Sequence, residues 1–331
     1  MEVHIHPLQR AIEVAPGANL LEALREAQVP MSYSCMAGRC GTCRCRVLEG
    51  EVLDGGRVAQ RPLDGLDGDE GWVLACQTYL TAPCTIEIPE PDEVVVHPAR
   101  ILKATVQAIE PLTHDIRRLV LKPARPLDFS PGQYAQLQFT PEHIRPYSMA
   151  GLPGDDTLEF HVRVVPGGRV SGYVTNTLRV GDAVRVSGPL GTAYLRRRHE
   201  GPLLCVAGGT GLAPILSILR GLLAEGLRNP VRLYLGVRSP RDLYGLDWLL
   251  ALQARHPALQ LQIVVTAGGN PREHRCGLVT EAIEQDLTNL AGWRAYLCGS
   301  PPMVEAATLV ARRKGMAPAH IHADAFYTQG S

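Results

Sequence analysis

Three rhythms of apolar residues follow one another along the chain. The first is short: Val3 and Ile5, then Ile12 and Val14, alternate with polar neighbours, the period of a half-buried hairpin. Asn19, with Glu22 three residues on as a capping-box partner, marks a helix start, and Leu20, Leu21 and Leu24 give that helix an apolar face. With strands expected around 45–48 and 85–88, this is a small α+β domain. The second rhythm is strand after strand. Segments 101–109, 116–121, 133–139, 158–165 and 183–186 alternate or run apolar between Pro/Gly turns, which predicts an antiparallel β-barrel. The third alternates the two element types: strands at 203–207, 231–237, 261–266 and 295–298, and helices reaching 223, near 246–254, at 279–283 and at 303–313. That is the pattern of a doubly wound parallel α/β sheet.

Two polar seams, Ile88-Pro89-Glu90-Pro91-Asp92-Glu93 and Arg196-Arg197-Arg198-His199-Glu200-Gly201-Pro202, separate the rhythms. They set domains at 1–90, 95–198 and 199–331, each of ordinary domain size. Thirty-three basic and 33 acidic residues cancel, so the chain has no electrostatic grip on nucleic acid or an acidic membrane. The first residues lack the basic start and apolar stretch of a signal peptide. The longest uncharged run, 201–219, is broken by Gly208-Gly209-Thr210-Gly211 and Pro214, so it reads as strand, turn and helix rather than a membrane span. A soluble, cytoplasmic protein is expected, with neither nucleic-acid nor membrane partner.

Nine cysteines, an odd number, argue against a disulfide framework. Cys35-x4-Cys40-x2-Cys43, with thirty-two residues between Cys43 and Cys76, has the spacing of plant-type [2Fe–2S] ligation: four thiolates, three of them on one tight loop that Gly38 and Gly41 let bend. A zinc ribbon would need a second Cys-x2-Cys pair, and Cys76 stands alone. Cys45, Cys84 and Cys205 fall in strand or apolar segments and read as core; Cys276 reads as a loop thiol.

In the barrel segment, Arg145-Pro146-Tyr147-Ser148 follows a strand and offers a phosphate-pairing guanidinium, a stacking ring and a hydroxyl within four residues. Gly167-Gly168-Arg169-Val170-Ser171 opens a helix, whose free N–H groups suit a pyrophosphate. Taken singly, these residues are equally well read as a surface turn and a core tyrosine. Further on, Gly208-Gly209-Thr210-Gly211-Leu212-Ala213-Pro214 occupies the first βα turn of the third segment, with Pro214 where the dinucleotide fingerprint has its third glycine. Proline is tolerated in a helix's first turn. The ribose-binding acid is missing after the second strand, where Arg238, Ser239 and Arg241 stand ready for a 2′-phosphate; both NADH and NADPH remain open. Cys298-Gly299-Ser300-Pro301 ends a later strand, either as a nicotinamide contact or as a buried thiol, and the chain closes with Ala323-Asp324-Ala325-Phe326-Tyr327.

In this order, the motifs resemble the ferredoxin–NADP⁺ reductase superfamily carrying an N-terminal plant-type ferredoxin domain, and more narrowly the reductase components of naphthalene dioxygenase systems. The resemblance spans essentially the whole chain and is densest at 33–47, 113–119, 145–152, 188–195 and 323–327. It implies FAD, a [2Fe–2S] cluster and NADH or NADPH as cofactors. It implies that Arg145 pairs with the FAD pyrophosphate, Tyr147 lies along the flavin and Ser148 approaches its N5. His161 and Arg163 would line the flavin site, and Gly168, Val170 and Ser171 would hold the pyrophosphate. Thr210, Gly211 and Arg238 would meet the nicotinamide nucleotide, with Cys298 beside the reacting ring and Phe326 near the flavin. Ser148, Cys298 and Phe326 would thus form the catalytic group, and Cys35, Cys40, Cys43 and Cys76 the metal ligands.

The implied activity is that of a ferredoxin–NAD(P)⁺ reductase. A two-electron hydride donor is connected to a one-electron cluster, because a [2Fe–2S] centre stores one electron and cannot take hydride. The implied acceptor is a Rieske-type ferredoxin feeding an aromatic-ring dioxygenase in aromatic hydrocarbon catabolism. A two-component reductase serving a hydroxylase or deoxysugar dehydratase directly has the same domains, and a non-enzymatic redox sensor is the reading from another class. Oligomeric state is not encoded in these motifs. Cys76→Ser is expected to abolish the visible absorbance of the cluster while NADH still bleaches the flavin; a normal cluster spectrum in that variant would place the fourth ligand elsewhere.

Overall fold

The computed structural model describes residues 1–27, 29, 31, 33, 38, 43–55, 57–59, 71–88 and 97–327. The chain forms two compact units, Met1–Val94 and Val95–Ser331.

In the first unit, β1 (Glu2–His6) and β2 (Arg10–Glu13) form the expected hairpin, with Val3 opposite Ile12 and both turned inward. Helix α1 (Leu20–Glu26) starts where the Asn19 side-chain oxygen accepts the Glu22 N–H at 3.2 Å, and it buries Leu20, Leu21 and Leu24. Strands β3 (Arg44–Glu49), β4 (Val52–Asp54), β5 (Arg57–Ala59), β6 (Trp72–Leu74), β7 (Thr78–Leu80) and β8 (Cys84–Glu87) follow. The main sheet runs β2-β1-β8-β3-β6, with β1 and β8 parallel; β5-β4-β7 make a smaller one. Asn19 has a second role: its Nδ2 donates to the Cys76 carbonyl at 3.1 Å, tying the helix start to a predicted cluster ligand.

The second unit begins with the barrel: β9 (Arg100–Pro111), β10 (Ile116–Pro123), β11 (Tyr134–Thr140), β12 (His143–Ser148), β13 (Leu158–Arg163), helix α2 (Arg169–Asn176) and β14 (Ala183–Leu190). Its antiparallel order is β12-β11-β14-β9-β10-β13. A Met149–Phe160 bridge and the Ala150 N–H to Glu159 carbonyl bond (2.9 Å) bring the two ends of this sheet together. Strand β12 is a departure from the sequence pattern, which treats 145–148 as a segment after a strand. Pro146 disguises it, yet β12 is the last strand in the hydrogen-bonded order, where a missing N–H is tolerated.

The rest of this unit is β15 (Leu203–Gly208), α3 (Leu212–Ala224), β16 (Val231–Val237), α4 (Leu246–Arg255), β17 (Leu259–Val265), β18 (Arg275–Cys276), α5 (Val279–Asp286), β19 (Arg294–Gly299), α6 (Pro301–Arg313) and β20 (Ile321–Ala325). All strands are parallel, in the order β18-β17-β16-β15-β19-β20. Each face carries its own apolar layer, one around Cys205, Leu216 and Tyr296, the other around Leu204, Val206 and Leu297. The chain leaves β15 in one direction and returns beside it as β19, so the switch point, where such sheets bind ligands, lies between the ends of β15 and β19. Strand β20 was not anticipated, because His322 and Asp324 interrupt its apolar pattern. Barrel and sheet are joined by α3: Ser217 Oγ donates to the Gly151 carbonyl at 2.7 Å and Arg220 Nη1 to the Ala150 carbonyl at 2.8 Å. Among the described residues no helix is long and apolar enough to cross a membrane.

Asn19→Ala removes a helix cap and the bond to the Cys76 carbonyl together. It should destabilise the first unit by about 1–2 kcal/mol, read as a lower urea midpoint for loss of the cluster's visible absorbance.

Candidate active site

Cys35 and Cys40 lie outside the described residues. Cys43 and Cys76 come together at the β3–β6 end of the main sheet: both are buried, and the Cys76 N–H points at Cys43 Sγ at 3.5 Å. Gln77 Nε2 lies 3.6 Å from Cys76 Sγ. Donors aimed at both sulfurs are what cluster thiolates require, so these two residues fit the [2Fe–2S] group. Cys45 and Cys84 do not compete, since burial keeps both thiols protonated and pushes Cys84 up to about 11. Cys205 is likewise in the core and is pushed up to about 12, whereas Cys276 is exposed on β18 rather than in a loop.

In the barrel, His143, Arg145 and Tyr147 alternate onto one face of β12, and α2 lies alongside, with its Tyr173 ring stacked on His143 at 4.5 Å. Arg145 is half-buried and has no ion pair or hydrogen bond among the described residues, a cation left available for a phosphate. Burial pushes the Tyr147 hydroxyl up to about 12. Gly168 caps α2; Ser171 Oγ accepts the Val165 N–H at 3.1 Å and so closes the turn. Val170 packs its side chain into the barrel core. What Gly168, Val170 and Ser171 can offer a pyrophosphate is therefore chiefly backbone N–H at a helix start. His161 and Arg163 sit on the outer face of β13, and both are engaged by protein: His161 by Glu159 and Tyr244, Arg163 by Asp115.

At the switch point, Gly209–Gly211 form a single 3-10 turn that leads into α3, with Pro214 in the helix's first turn. Gly211 packs so tightly on the Cys298 carbonyl that any Cβ there would overlap it. Thr210 is half-exposed beside it. Cys298 itself is fully buried, in register between Ala207 and Asp324, and burial raises its thiol well above the ordinary range. Its sulfur belongs to the core, and its backbone forms the floor under the turn. Phe326 is hung from this floor by its N–H to the Gly299 carbonyl at 2.8 Å. Arg238 is exposed, while the Ser239 hydroxyl donates to its own loop's Asp242 at 2.7 Å.

One residue of this site escaped the sequence reading. Asp324, on β20, accepts the Ser148 Oγ proton at 2.7 Å, joining the barrel's last Arg-x-Tyr-Ser residue to the final strand of the parallel sheet. Burial raises its carboxyl to about 6. The only available signal was an acid two residues before the terminal aromatic, inside a short strand too polar to recognise. Ser148, Asp324, Cys298 and Phe326 thus converge at one place.

A cluster-binding domain followed by a flavin barrel and a nucleotide sheet defines an oxidoreductase that uses NAD(P)H, FAD and a [2Fe–2S] cluster. Family models agree, matching the 2Fe-2S iron-sulfur cluster binding domain at residues 3–81, the oxidoreductase FAD-binding domain at 103–194 and the oxidoreductase NAD-binding domain at 205–308. The chain belongs to the family of ferredoxin–NAD(P)⁺ reductase components of oxygenase systems. It is 60% identical to the reductase component of the naphthalene 1,2-dioxygenase/salicylate 5-hydroxylase systems of a Ralstonia species, over 100% of both chains. It is 57% identical to that of the naphthalene 1,2-dioxygenase system of Pseudomonas putida, again over 100% of both. Among solved structures it is similar to the Amycolatopsis cytochrome P450 reductase GcoB, with TM-score 0.74, 38% identity and 98% of each chain covered.

Above pH 6, ionised Asp324 accepts the Ser148 O–H hydrogen bond and holds that proton away from a flavin N5; below it, a protonated Asp324 can donate to Ser148 Oγ and free the serine proton for N5. The rate of flavin reduction by NADH should therefore rise as pH drops through about 6. Asp324→Asn should flatten that step in a stopped-flow pH profile, and a step that persists in the variant would assign it to another group.

Proposed function

We propose that this protein is the reductase of an aromatic-ring-hydroxylating dioxygenase system, drawing on NADH or NADPH and delivering electrons to a Rieske-type ferredoxin. When bound, FAD and the [2Fe–2S] cluster would supply the conversion of two-electron hydride chemistry into single-electron transfer. The residues do the positioning. Arg145 and the α2 amides hold the flavin's phosphates, and Tyr147 lies along its ring. The Gly209–Gly211 turn and the α3 amides receive the nucleotide's phosphates, with Thr210 and Arg238 alongside. Ser148, fixed by Asp324, sets the polar edge of the crevice, and Phe326 covers its open side. Cys35, Cys40, Cys43 and Cys76 carry the cluster.

The observation that carries this reading is the Ser148–Asp324 contact, which brings the end of a barrel strand onto the nucleotide sheet at its switch point. Support for the acceptor comes from the full-length similarity to reductase components named for naphthalene dioxygenase systems. Exposed Arg238 and Arg241, with no acid turned outward beside them, favour acceptance of both nucleotides. The test is electron delivery from NADH-reduced protein to a purified terminal dioxygenase. Oxygenase reduction should be at least about tenfold faster with the Rieske ferredoxin than without it, the rate margin of a guided over an unguided encounter. Equal rates would overturn the reading in favour of a two-component reductase.

A further inference from the structure

The outer face of β13 is polar, yet Glu159 and His161 on it are buried. Glu159, His161 and Arg163 alternate along it and face the α3–α4 side of the nucleotide sheet. His161 Nε2 lies 3.1 Å from Glu159 Oε1, and Glu159 Oε2 accepts from Arg118 Nη2 at 2.8 Å. Those partners hold the Glu159 carboxylate down to about 2, so it only accepts, and the His161 Nε2 must carry the proton. Burial disfavours a second proton on His161, which leaves Nδ1 as an acceptor. Tyr244 Oη stands 3.0 Å from that Nδ1 and 3.4 Å from the Gly209 carbonyl. Because Nδ1 accepts, the hydroxyl proton goes to the histidine, and the Gly209 carbonyl takes the longer, weaker branch of a three-centre bond. The tyrosine ring meets His161 and Trp248 edge-on, and Trp248 stacks on His161 at 5.9 Å.

Gly209 is pressed from its other side as well. A Cβ there would be 3.0 Å from Arg163 Nη1, and Arg163 is fixed by Asp115 at 2.8 Å, with Asp242 at 3.9 Å. At φ +55° Gly209 takes the left-handed conformation that opens the nucleotide turn, and inside the turn its carbonyl accepts the Leu212 N–H. Two side chains, one on β13 and one held by β13, close on this single residue.

We propose that Tyr244 is a positioning residue for the pyridine nucleotide: anchored by His161 on the flavin barrel, it fixes Gly209 and so sets the turn whose amides receive the nucleotide. Arg163 completes the clamp. The inference rests on the reading of Gly209–Gly211 as the nucleotide turn and adds that the flavin barrel, not the nucleotide sheet alone, holds that turn in place.

Stopped-flow reduction of the flavin at varied NADH concentration tests it. Tyr244→Phe keeps the ring packing and loses only the hydroxyl. Its half-saturating NADH concentration should rise about fivefold, the net worth of one hydrogen bond. Flavin content, cluster absorbance and the rate of reoxidation by ferricyanide should stay at wild-type values, which general loosening of the fold would not allow. His161→Gln should raise the half-saturation similarly, and the double variant should be no worse than about fivefold, because both changes cut one path. Unchanged half-saturation in Tyr244→Phe, or a double variant near the product of the singles, overturns the clamp. Wild-type protein that neither NADH nor NADPH reduces would overturn the nucleotide-site reading itself.

Discussion

A barrel strand ordinarily shows one face to the core and the other to water. Strand β13 cannot: Leu158, Phe160 and Val162 fill the barrel, while Glu159 and His161, on the other face, are buried too. A buried carboxylate and a buried imidazole are costly unless every polar atom finds a partner. Arg118, Tyr244 and the two residues themselves supply those partners, and one of them, Tyr244, comes from beyond the barrel. The barrel's outer face is therefore completed only by the nucleotide sheet, and the two form one compact unit for that reason.

The same constraint organises the chemistry. Hydride transfer requires reacting atoms about 3–3.5 Å apart, and a loose joint between flavin and nucleotide sites would forfeit that geometry. Here the joint is made at three levels: α3 reaches the Gly151 and Ala150 carbonyls, Ser148 reaches Asp324, and His161 of β13 reaches Tyr244. The Gly211 turn is pressed on the Cys298 carbonyl below. Small residues are used wherever backbone must approach backbone, and polar side chains wherever one sheet must be set against another.

Much of this was legible in the chain. The period-2 and alternating strand–helix patterns gave the three architectures because each buried face needs its apolar residues at fixed intervals, and the cysteine spacing marked the cluster because a metal imposes spacing directly. What stayed hidden did so for local reasons. Pro146 obscured β12, although at the end of the hydrogen-bonded order it breaks no essential bond. His322 and Asp324 obscured β20, since a strand that carries function in its middle loses its apolar signature. Asp324 and Tyr244 share a further difficulty: their partners, Ser148 and His161, are 176 and 83 residues away in sequence, so only folding shows which contact matters. Cys298 has two readings in the sequence, a nicotinamide contact or a buried thiol, and in the fold its side chain is buried while its carbonyl lies against Gly211.

The division into two units follows from the same physics. Hydride moves as a nucleus with its electrons and needs its donor and acceptor in contact, so the groups that place flavin and nucleotide belong in one rigid body. A single electron needs no such contact, and the domain that stores it can have its own core, built around Leu20, Leu24 and Ile86. Its stability then depends on local ties such as Asn19 to the Cys76 carbonyl, which couple the apolar core to a metal ligand. A chain that converts two-electron chemistry into one-electron chemistry thus separates the step that demands contact from the step that tolerates distance, and assigns each its own folded unit.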